Sequence, residues 1–445
     1  MKIERNILQQ LEAWKLRKHR KPLVLQGARQ IGKTWAMQTF GERYFEHVAY
    51  FSFERNDELF QLFESTKDPK RLLGQLATHT SAAIEPQTTL IIFDEIQECN
   101  KALNSLKYFC EETPEYAIVA AGSLLGVSMT KGDSFPVGKV DFLPMYPLTF
   151  KEFLAADAPE LYNYAEKMTG LEEIPLIIFN QLTESFRRYQ VTGGMPEAAA
   201  DFLDNKGMER VEDVLQNILN AYALDFSKHA ESKDIPKITE VWKSIPSQLS
   251  RENRKFLYKL VKPGARAREY EDALLWLQHA GLLHRIFANT KPALPISAYD
   301  DLSAFKIYLS DIGLLRKLAK LPPEIILNNS PLYIEFKGAM TENYVLQSLV
   351  TQFEVTPRYW TSEGKAEVDF ILQNGLEIIP IEVKSANSIA GKSLHIYNEK
   401  YAPKLRIRYS FNNLKKDGNL LNIPVFLADW TKQSINEKLH SIIKL

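Results

Sequence analysis

A short glycine-rich segment at residues 27–34 carries the residue types of a phosphate-binding loop. It fits the pattern G-x-x-x-x-G-K-[ST] at every specified position, after a predicted strand and before a predicted helix. Glycines let such a loop curl so that backbone N–H groups point at phosphate oxygens. Lys33 is expected to reach the β- and γ-phosphates, and the Thr34 hydroxyl to bind Mg²⁺. The predicted nucleotide contacts are Gly27, Ala28, Arg29, Gln30, Ile31, Gly32, Lys33 and Thr34.

Two carboxylates, Asp94 and Glu95, follow the apolar run at residues 89–93. The carboxyl end of a strand in a parallel sheet faces the bound ligand. Asp94 is therefore predicted to hold Mg²⁺, directly or through water, and Glu95 to polarise the attacking water. Together with the glycine-rich loop, this pair predicts ATP hydrolysis. The same residues fit GTP as well, because none of them reads the base.

A second charged group consists of Glu342, Asp369, Glu382 and Lys384. Asp369 and Glu382 are predicted on two strands joined through an Asn-Gly turn at 374–375, and Glu342 on the preceding helix. The period of a strand places Glu382 and Lys384 on one face. The three carboxylates are predicted to bind Mg²⁺ and activate water for attack on a phosphodiester, with Lys384 orienting that water or stabilising charge. The alternative is a half-exposed hairpin with ordinary alternating charges.

The elements around these residues change character along the chain. Strand-like apolar runs occur at 22–26, 48–53, 89–93 and 116–121, with helical patterns between them. This alternation predicts a parallel sheet with helices on both faces. Residues 151–250 are mostly helical, and residues 251–316 follow the order helix, turn, helix and two strands, which suits a winged helix.

The motifs resemble those of the AAA-type ATPases of a large bacterial and archaeal family. The resemblance is carried by residues 27–34, Asp94-Glu95-Ile96-Gln97, Ala121-Gly122-Ser123, residues 143–152 and Gly193-Gly194-Met195-Pro196-Glu197. It implies an ATPase joined to a winged helix and a C-terminal domain. It also implies that Ser123 senses the γ-phosphate, whereas an ordinary Gly-Ser turn is the alternative.

The arginine finger implied by the resemblance has no clear counterpart. In the family an arginine often follows the glycine at Gly138, but this chain has Lys139 there. A lysine does not form the bidentate fork of an arginine. Arg187 and Arg188 are the substitutes, and the sequence does not rank them.

The C-terminal charged group resembles the PD-(D/E)XK nuclease core, which has an acidic residue on a helix, an Asp and then E-x-K. The expected fold class is therefore an α/β P-loop NTPase, with a parallel sheet covered by helices on both faces. A helical or winged-helix segment and a small restriction-endonuclease-like α/β domain follow. The predicted domains span residues 1–205, 206–325 and 326–445.

Composition limits the partners and the compartment. The 445 residues include 55 Lys plus Arg and 55 Asp plus Glu, so the formal net charge is zero. Binding to nucleic acid would therefore use a local patch rather than a bulk positive field. With only Cys99 and Cys110, no apolar leader and no apolar run of about 18 residues, the sequence predicts a reduced cytoplasmic protein without a membrane span.

Two basic segments are candidates for a nucleic-acid contact. Residues 17–21 follow the first predicted helix, where cations commonly complement the helix C-terminus, and a nucleic-acid patch is the alternative. Arg266 and Arg268 precede a predicted helix at 269–280. The acidic start of that helix favours a packing role over contact with phosphate.

Three functions follow from these observations. The first is an ATPase that uses ATP and Mg²⁺ to control a nuclease-like domain acting on nucleic acid. DNA is favoured over RNA as that nucleic acid. The second is a nucleotide-driven switch or scaffold without cleavage, working on a second copy of the chain or an unknown protein partner. The third is a DNA-binding regulator.

Overall fold

The computed structural model describes residues 3–80, 83–122, 136, 138–168, 172–205, 207–251, 254–362, 366–385 and 391–443. The chain divides into two compact units. The smaller unit contains Arg5–Tyr146 and His279–Gly281. The larger unit contains Met1–Glu4, Pro147–Gln278 and Leu282–Leu445. Ser123, predicted to sense the γ-phosphate, lies outside the described residues.

The smaller unit is built on a parallel five-stranded sheet. Its strands are β1 (Leu23–Gln26), β2 (His47–Ser52), β3 (Thr89–Asp94), β4 (Ala117–Gly122) and β5 (Asp141–Pro144), in the order β2-β3-β4-β1-β5. Its helices are α1 (Ile7–Lys15), α2 (Lys33–Tyr44), α3 (Asp57–Ser65), α4 (Pro69–Thr78) and α5 (Asn100–Glu112). Every residue of β3 and β4 is buried, as in a sheet covered on both faces.

The two faces of this sheet carry different helices. On one face, Phe51 and Phe93 pack in a core with apolar residues of α3, α4 and α5. The helices α1 and α2 pack against each other through Trp14 and Phe40, whose ring centroids are 6.3 Å apart. Because side chains alternate along a strand, each strand supplies apolar residues to both layers. The parallel sheet and its helical layers agree with the prediction.

The larger unit begins with helices and continues into a mixed sheet. The helices outside the smaller unit's sheet region are α6 (Phe150–Asp157), α7 (Pro159–Glu166), α8 (Leu176–Thr192), α9 (Pro196–Asn205), α10 (Glu209–His229), α11 (Ile235–Leu249), α12 (Tyr258–Val261), α13 (Ala267–His279), α14 (Ile312–Leu318), α15 (Pro323–Leu327), α16 (Ile334–Gln352), α17 (Lys392–Tyr401) and α18 (Thr431–Ile443). The strands are β6 (Leu283–Asn289), β7 (Asp300–Leu309), β8 (Arg358–Thr361), β9 (Glu367–Asn374), β10 (Glu377–Val383), β11 (Arg406–Ser410), β12 (Lys415–Asp417) and β13 (Leu420–Pro424). They form one eight-stranded sheet in the order β12-β13-β11-β10-β9-β8-β6-β7.

The strands predicted as a wing belong to this larger sheet. β6 and β7 form the expected antiparallel hairpin, but β6 also pairs in parallel with β8, so the hairpin continues into the C-terminal strands. The turn at 374–375 joins β9 and β10 in the predicted antiparallel register. The three-part division at residues 205 and 325 stays a prediction, while the two compact units meet in sequence between Tyr146 and Pro147.

Within the described residues, no helix combines the length and the apolar character that crossing a bilayer requires.

Candidate active site

The glycine-rich loop connects the end of β1 to the start of α2. Gly32 precedes the helix with a φ of 88°, a left-handed conformation that glycine adopts without strain. At Gly27 the constraint is space, because a Cβ would lie 2.2 Å from the carbonyl oxygen of Met145. Two residues of the loop itself, Ala28 and Ile31, are buried. Both glycines of the motif are therefore required by the backbone.

Lys33, the first residue of α2, is folded back into the loop. Its ammonium donates hydrogen bonds to the carbonyl oxygens of Gly27 at 3.0 Å and Ala28 at 2.7 Å. The residue is only 6% exposed, and burial lowers the pKa of its side chain to about 8, although Glu95 and Asp94 nearby favour the charged form. The cation is thus held inside the loop at a cost in desolvation.

Thr34 and Asp94 meet across 60 positions of sequence. The Thr34 hydroxyl donates a 2.6 Å hydrogen bond to Asp94 Oδ2. The same oxygen accepts a 2.9 Å hydrogen bond from the hydroxyl of Tyr50. The parallel register sets Tyr50 opposite Ile92 and places its side chain on the face of Asp94. Sequence reasoning missed Tyr50, because its role depends on this register.

Glu95 follows Asp94 in a left-handed backbone conformation, with a φ of 51°. The side-chain amide of Gln97 donates a short hydrogen bond to Glu95 Oε2. The Glu95 N–H donates to Asp94 Oδ1 at 3.0 Å. A positive φ is uncommon for a residue with a side chain and is often found at functional sites. The structure therefore turns the chain sharply at the predicted catalytic carboxylate.

A buried arginine fastens the loop from the N-terminal segment. Arg5 is 5% exposed and donates hydrogen bonds to the carbonyl oxygens of Ile31 at 2.9 Å and Tyr146 at 2.7 Å. Sequence reasoning missed Arg5, because nothing in its local pattern indicates a partner 26 positions away. Arg5 therefore holds the backbone of the loop against the N-terminal segment.

The residues that converge on the loop fit a magnesium nucleotide. Thr34 and Asp94 offer a hydroxyl and a carboxylate oxygen, the hard oxygen ligands that Mg²⁺ prefers. The Lys33 ammonium is the group predicted to bind phosphate oxygens, and the Glu95 carboxylate is the group predicted to polarise the attacking water. The loop after β1 and the end of β3 bring the Thr34–Asp94 pair and the Lys33–Glu95 pair together, as the sequence predicts.

The lysine at the arginine-finger position and one of its two substitutes form ion pairs with carboxylates. Lys139 pairs with Glu111 at 2.8 Å on the smaller unit. Arg188 pairs with Asp157 at 2.6 Å on the larger unit. Arg187 has no ion pair with a carboxylate among the described residues, and its role stays a prediction.

The C-terminal charged group is assembled in part. Asp369 on β9 accepts a 2.7 Å hydrogen bond from the backbone N–H of Val383 on β10. Lys384 lies 3.0 Å from Glu382 Oε1, on the same face as predicted. Arg408, on the neighbouring strand β11, donates to Glu382 Oε2 at 3.4 Å. The buried Glu382 therefore has two cations beside it.

Glu342 on α16 has different partners. It is 1% exposed, and its two carboxylate oxygens accept short hydrogen bonds from Arg254 and from the hydroxyl of Tyr308. The fully buried Lys306 lies 3.6 Å from Glu342 and 2.6 Å from Glu367. In the described part of the chain, no three acidic, histidine or cysteine residues are grouped so as to hold a metal ion. Glu342, Asp369 and Glu382 are thus not assembled into the predicted metal-binding set.

Comparison with protein families bears on the smaller unit first. Residues 19–154 match the family model described as an AAA domain. Residues 19–154 therefore form an AAA-type P-loop domain. Residues 183–325 and 337–426 match two models described as domains of unknown function, DUF8612 and DUF4143. None of the curated proteins matches the sequence.

Three solved structures that this chain resembles share little sequence with it. A Walker-type ATPase of Pyrococcus abyssi is 13% identical, over 71% of this chain and 96% of its own, with a TM-score of 0.44. The Holliday junction branch migration motor RuvB of Thermotoga maritima is 17% identical, over 64% and 90%, with a TM-score of 0.30. The Aeropyrum pernix ORC1 protein in complex with DNA is 13% identical, over 74% and 92%, with a TM-score of 0.24. The parallel five-stranded sheet and the match of residues 19–154 to the AAA-domain model confirm the predicted α/β P-loop NTPase class.

Proposed function

We propose that this AAA-type domain binds ATP at residues 27–34 and hydrolyses its terminal phosphoanhydride bond. The observation that carries the proposal is the hydrogen bond from the Thr34 hydroxyl to Asp94 Oδ2, which joins the loop to the carboxyl end of β3. Thr34 and Asp94 would hold Mg²⁺, which supplies charge neutralisation of the phosphates. Lys33 binds phosphate oxygens, and Glu95 accepts a proton from the attacking water.

Single-turnover phosphate release with ATP and with GTP tests this proposal. Glu95→Gln is expected to keep nucleotide binding and slow hydrolysis by at least roughly 100-fold, because it removes the general base. Lys33→Ala is expected to lose binding. Glu98→Gln, an exposed neighbour, is the matched control and should hydrolyse at the wild-type rate. Equal rates for wild type and Glu95→Gln would contradict the assignment.

We propose further that the nucleotide cycle acts on the larger unit as a switch or scaffold. The observation that favours this alternative over cleavage is the pairing of Glu342 with Arg254, Tyr308 and Lys306, which occupies the carboxylate that a metal would need. Control of a nuclease that acts on DNA stays a prediction. Incubation of the full chain with plasmid DNA and Mn²⁺, with and without ATP, distinguishes a switch or scaffold from a nuclease. Cleavage that is lost in Asp369→Ala would favour the nuclease.

A further inference from the structure

A concavity of about 530 Å³ lies on the smaller unit, at the end of the sheet opposite the phosphate loop. Its walls come from segments that precede strands, whereas the phosphate loop follows the carboxyl end of β1. The segment 17–21 leads into β1, Gln87 precedes β3, and Pro114 precedes β4. The lining residues are Arg17, Lys18, His19, Arg20, Lys21, Gln87, Cys110, Pro114 and Glu115. Two separate sites thus sit at the two ends of β1.

The lining is strongly biased toward positive charge. It contains four permanent cations, one histidine and a single carboxylate, Glu115. Arg17 has a partner in Asp141 at 3.3 Å, but its side chain is 58% exposed. Lys18 and His19 are exposed and make no hydrogen bond or ion pair with any residue that the structure describes. Most of this charge is therefore not compensated by the protein.

The two inner cations are held by neutral groups. Arg20 donates to the carbonyl oxygens of Lys15 and Glu115, and Lys21 donates to that of Gly138 at 2.8 Å. Carbonyl oxygens orient these side chains without cancelling their charge. The Nε atom of Arg20 is buried and has no hydrogen-bond partner in the described chain. Burial also lowers the pKa of Arg20, as expected for a desolvated cation without a carboxylate beside it.

The helix dipole does not account for this arrangement. The dipole of α1 acts within its last turn, and α1 ends at Lys15. Residues 17–21 lie beyond that end and line a concave surface instead. An anion seated there would compensate Lys18, Arg20 and Lys21 together.

We propose that this concavity binds the phosphate groups of a nucleic-acid backbone. The site offers several flexible cations rather than a closed cage of backbone N–H groups, and phosphate contacts by lysine and arginine are what sequence-independent nucleic-acid binding uses. A formal net charge of zero makes a local patch the place where such binding occurs. The site is separate from the phosphate loop and does not depend on ATP hydrolysis.

Fluorescence anisotropy of the full chain with three labelled 30-mers tests the proposal: single-stranded DNA, duplex DNA and single-stranded RNA. The test variant is Arg17→Gln/Lys18→Gln/Lys21→Gln, which leaves the buried Arg20 in place. Its affinity is expected to fall at least roughly tenfold at low salt. The slope of log K against log salt on single strands should shrink by about 2, because three phosphate contacts are lost.

The matched control is Lys67→Gln/Lys70→Gln/Arg71→Gln, which removes three exposed cations from the same unit, away from the concavity. It should bind all three oligonucleotides like the wild type. ATP hydrolysis of both triple variants should equal that of the wild type, which verifies that they fold. A wild type that binds none of the oligonucleotides at 50 mM salt would overturn the proposal. The proposal would also be overturned by a test variant with unchanged affinity and salt slope. It would be overturned as well if the concavity bound pyrophosphate and none of the oligonucleotides.

Discussion

At the scale of single residues, Lys33 combines burial with charge. The ammonium is enclosed by the loop, and its pKa is lowered to about 8 by that burial. A lysine is charged below its pKa, so the lowered value means that Lys33 becomes neutral as the pH rises above 8. ATP is a polyanion and favours the charged form, so binding should require a proton in that range.

ATP affinity is therefore expected to fall as the pH rises through 8. At pH 9 the wild type should bind ATP roughly tenfold more weakly than at pH 7, since about one tenth of Lys33 remains charged in the free protein. Titration of a fluorescent ATP analogue between pH 7 and 9.5 measures this. In Lys33→Arg the guanidinium stays charged throughout, so its affinity should be flat. A flat profile for the wild type would contradict the expectation.

Tyr50 donates a hydrogen bond to Asp94, the proposed magnesium ligand. Burial, followed by the charge of Asp94, raises the pKa of Tyr50, so its hydroxyl remains a donor at neutral pH. Tyr50→Phe removes this hydrogen bond and is expected to lower kcat roughly tenfold, which corresponds to about 1.4 kcal/mol. The Mg²⁺ concentration for half-maximal rate should rise as well.

The control for Tyr50→Phe is Tyr44→Phe. The hydroxyl of Tyr44 donates a 3.1 Å hydrogen bond to Glu12. Steady-state hydrolysis over a range of Mg²⁺ concentrations compares the two variants. If Tyr50→Phe kept the wild-type kcat and Mg²⁺ dependence, the hydrogen bond would have no role in positioning Asp94.

At the scale of elements, two glycines of the smaller unit have opposite requirements. A Cβ at Gly27 would meet the backbone of Met145 at 2.2 Å, so Gly27→Ala must displace the phosphate loop. Gly74 lies inside α4, and a Cβ there would have no heavy atom within 4 Å, so alanine fits. Gly27→Ala should weaken ATP binding at least roughly tenfold. Gly74→Ala should keep binding and stabilise the smaller unit by about 1 kcal/mol.

Thermal unfolding and ATP titration of the two glycine variants form one matched pair. Both replace a glycine with alanine, so a general effect of alanine on the unfolded chain cancels between them. Equal ATP affinities in the two variants would show that the loop tolerates a side chain at position 27.

The elements differ in how far the sequence predicts them. The phosphate loop and the Asp94-Glu95 pair are local patterns, and the sheet follows from the apolar runs between helices. Tyr50 depends on the register of β2 against β3, which no local pattern gives. The glycine pair at 193–194 is another case, because Gly194 N–H donates at 2.6 Å to Asp311, 117 positions away. Local sequence patterns therefore do not predict contacts between distant segments.

The same reason explains the wing. The two strands predicted after the second helix of residues 251–316 are present, at Leu283–Asn289 and Asp300–Leu309, because their apolar residues are a local pattern. Pairing of β6 with β8, about 70 positions later, adds the hairpin to the C-terminal sheet. Local patterning indicates that strands exist, while their neighbours are decided by packing across the whole unit.

At the scale of the whole molecule, the fold of the larger unit sets which charged residues surround Glu342. Arg254 comes from the segment after α11, Lys306 and Tyr308 from β7, and Glu342 from α16. Their convergence brings cations to a buried carboxylate that the local sequence presents as a metal ligand. Removing one partner of a buried ion pair leaves an uncompensated charge, which costs more than the pair contributes when intact.

Arg254→Met is therefore expected to destabilise the larger unit by about 3–5 kcal/mol, because the buried Glu342 loses its guanidinium partner and keeps only Lys306, a cation that it shares with Glu367. Lys255→Met changes the exposed neighbouring cation and should stay within about 0.5 kcal/mol of the wild type. Urea denaturation followed by tryptophan fluorescence measures both. Glu342→Gln in the Arg254→Met background should recover part of the loss, since the amide carries no charge. Two outcomes would contradict this expectation: unfolding of Arg254→Met at the wild-type urea concentration, or binding of Mn²⁺ by this variant at full stability. Either would mean that Arg254 occupies a metal site and can be replaced there. It would then not be the partner that holds the Glu342 carboxylate in the fold.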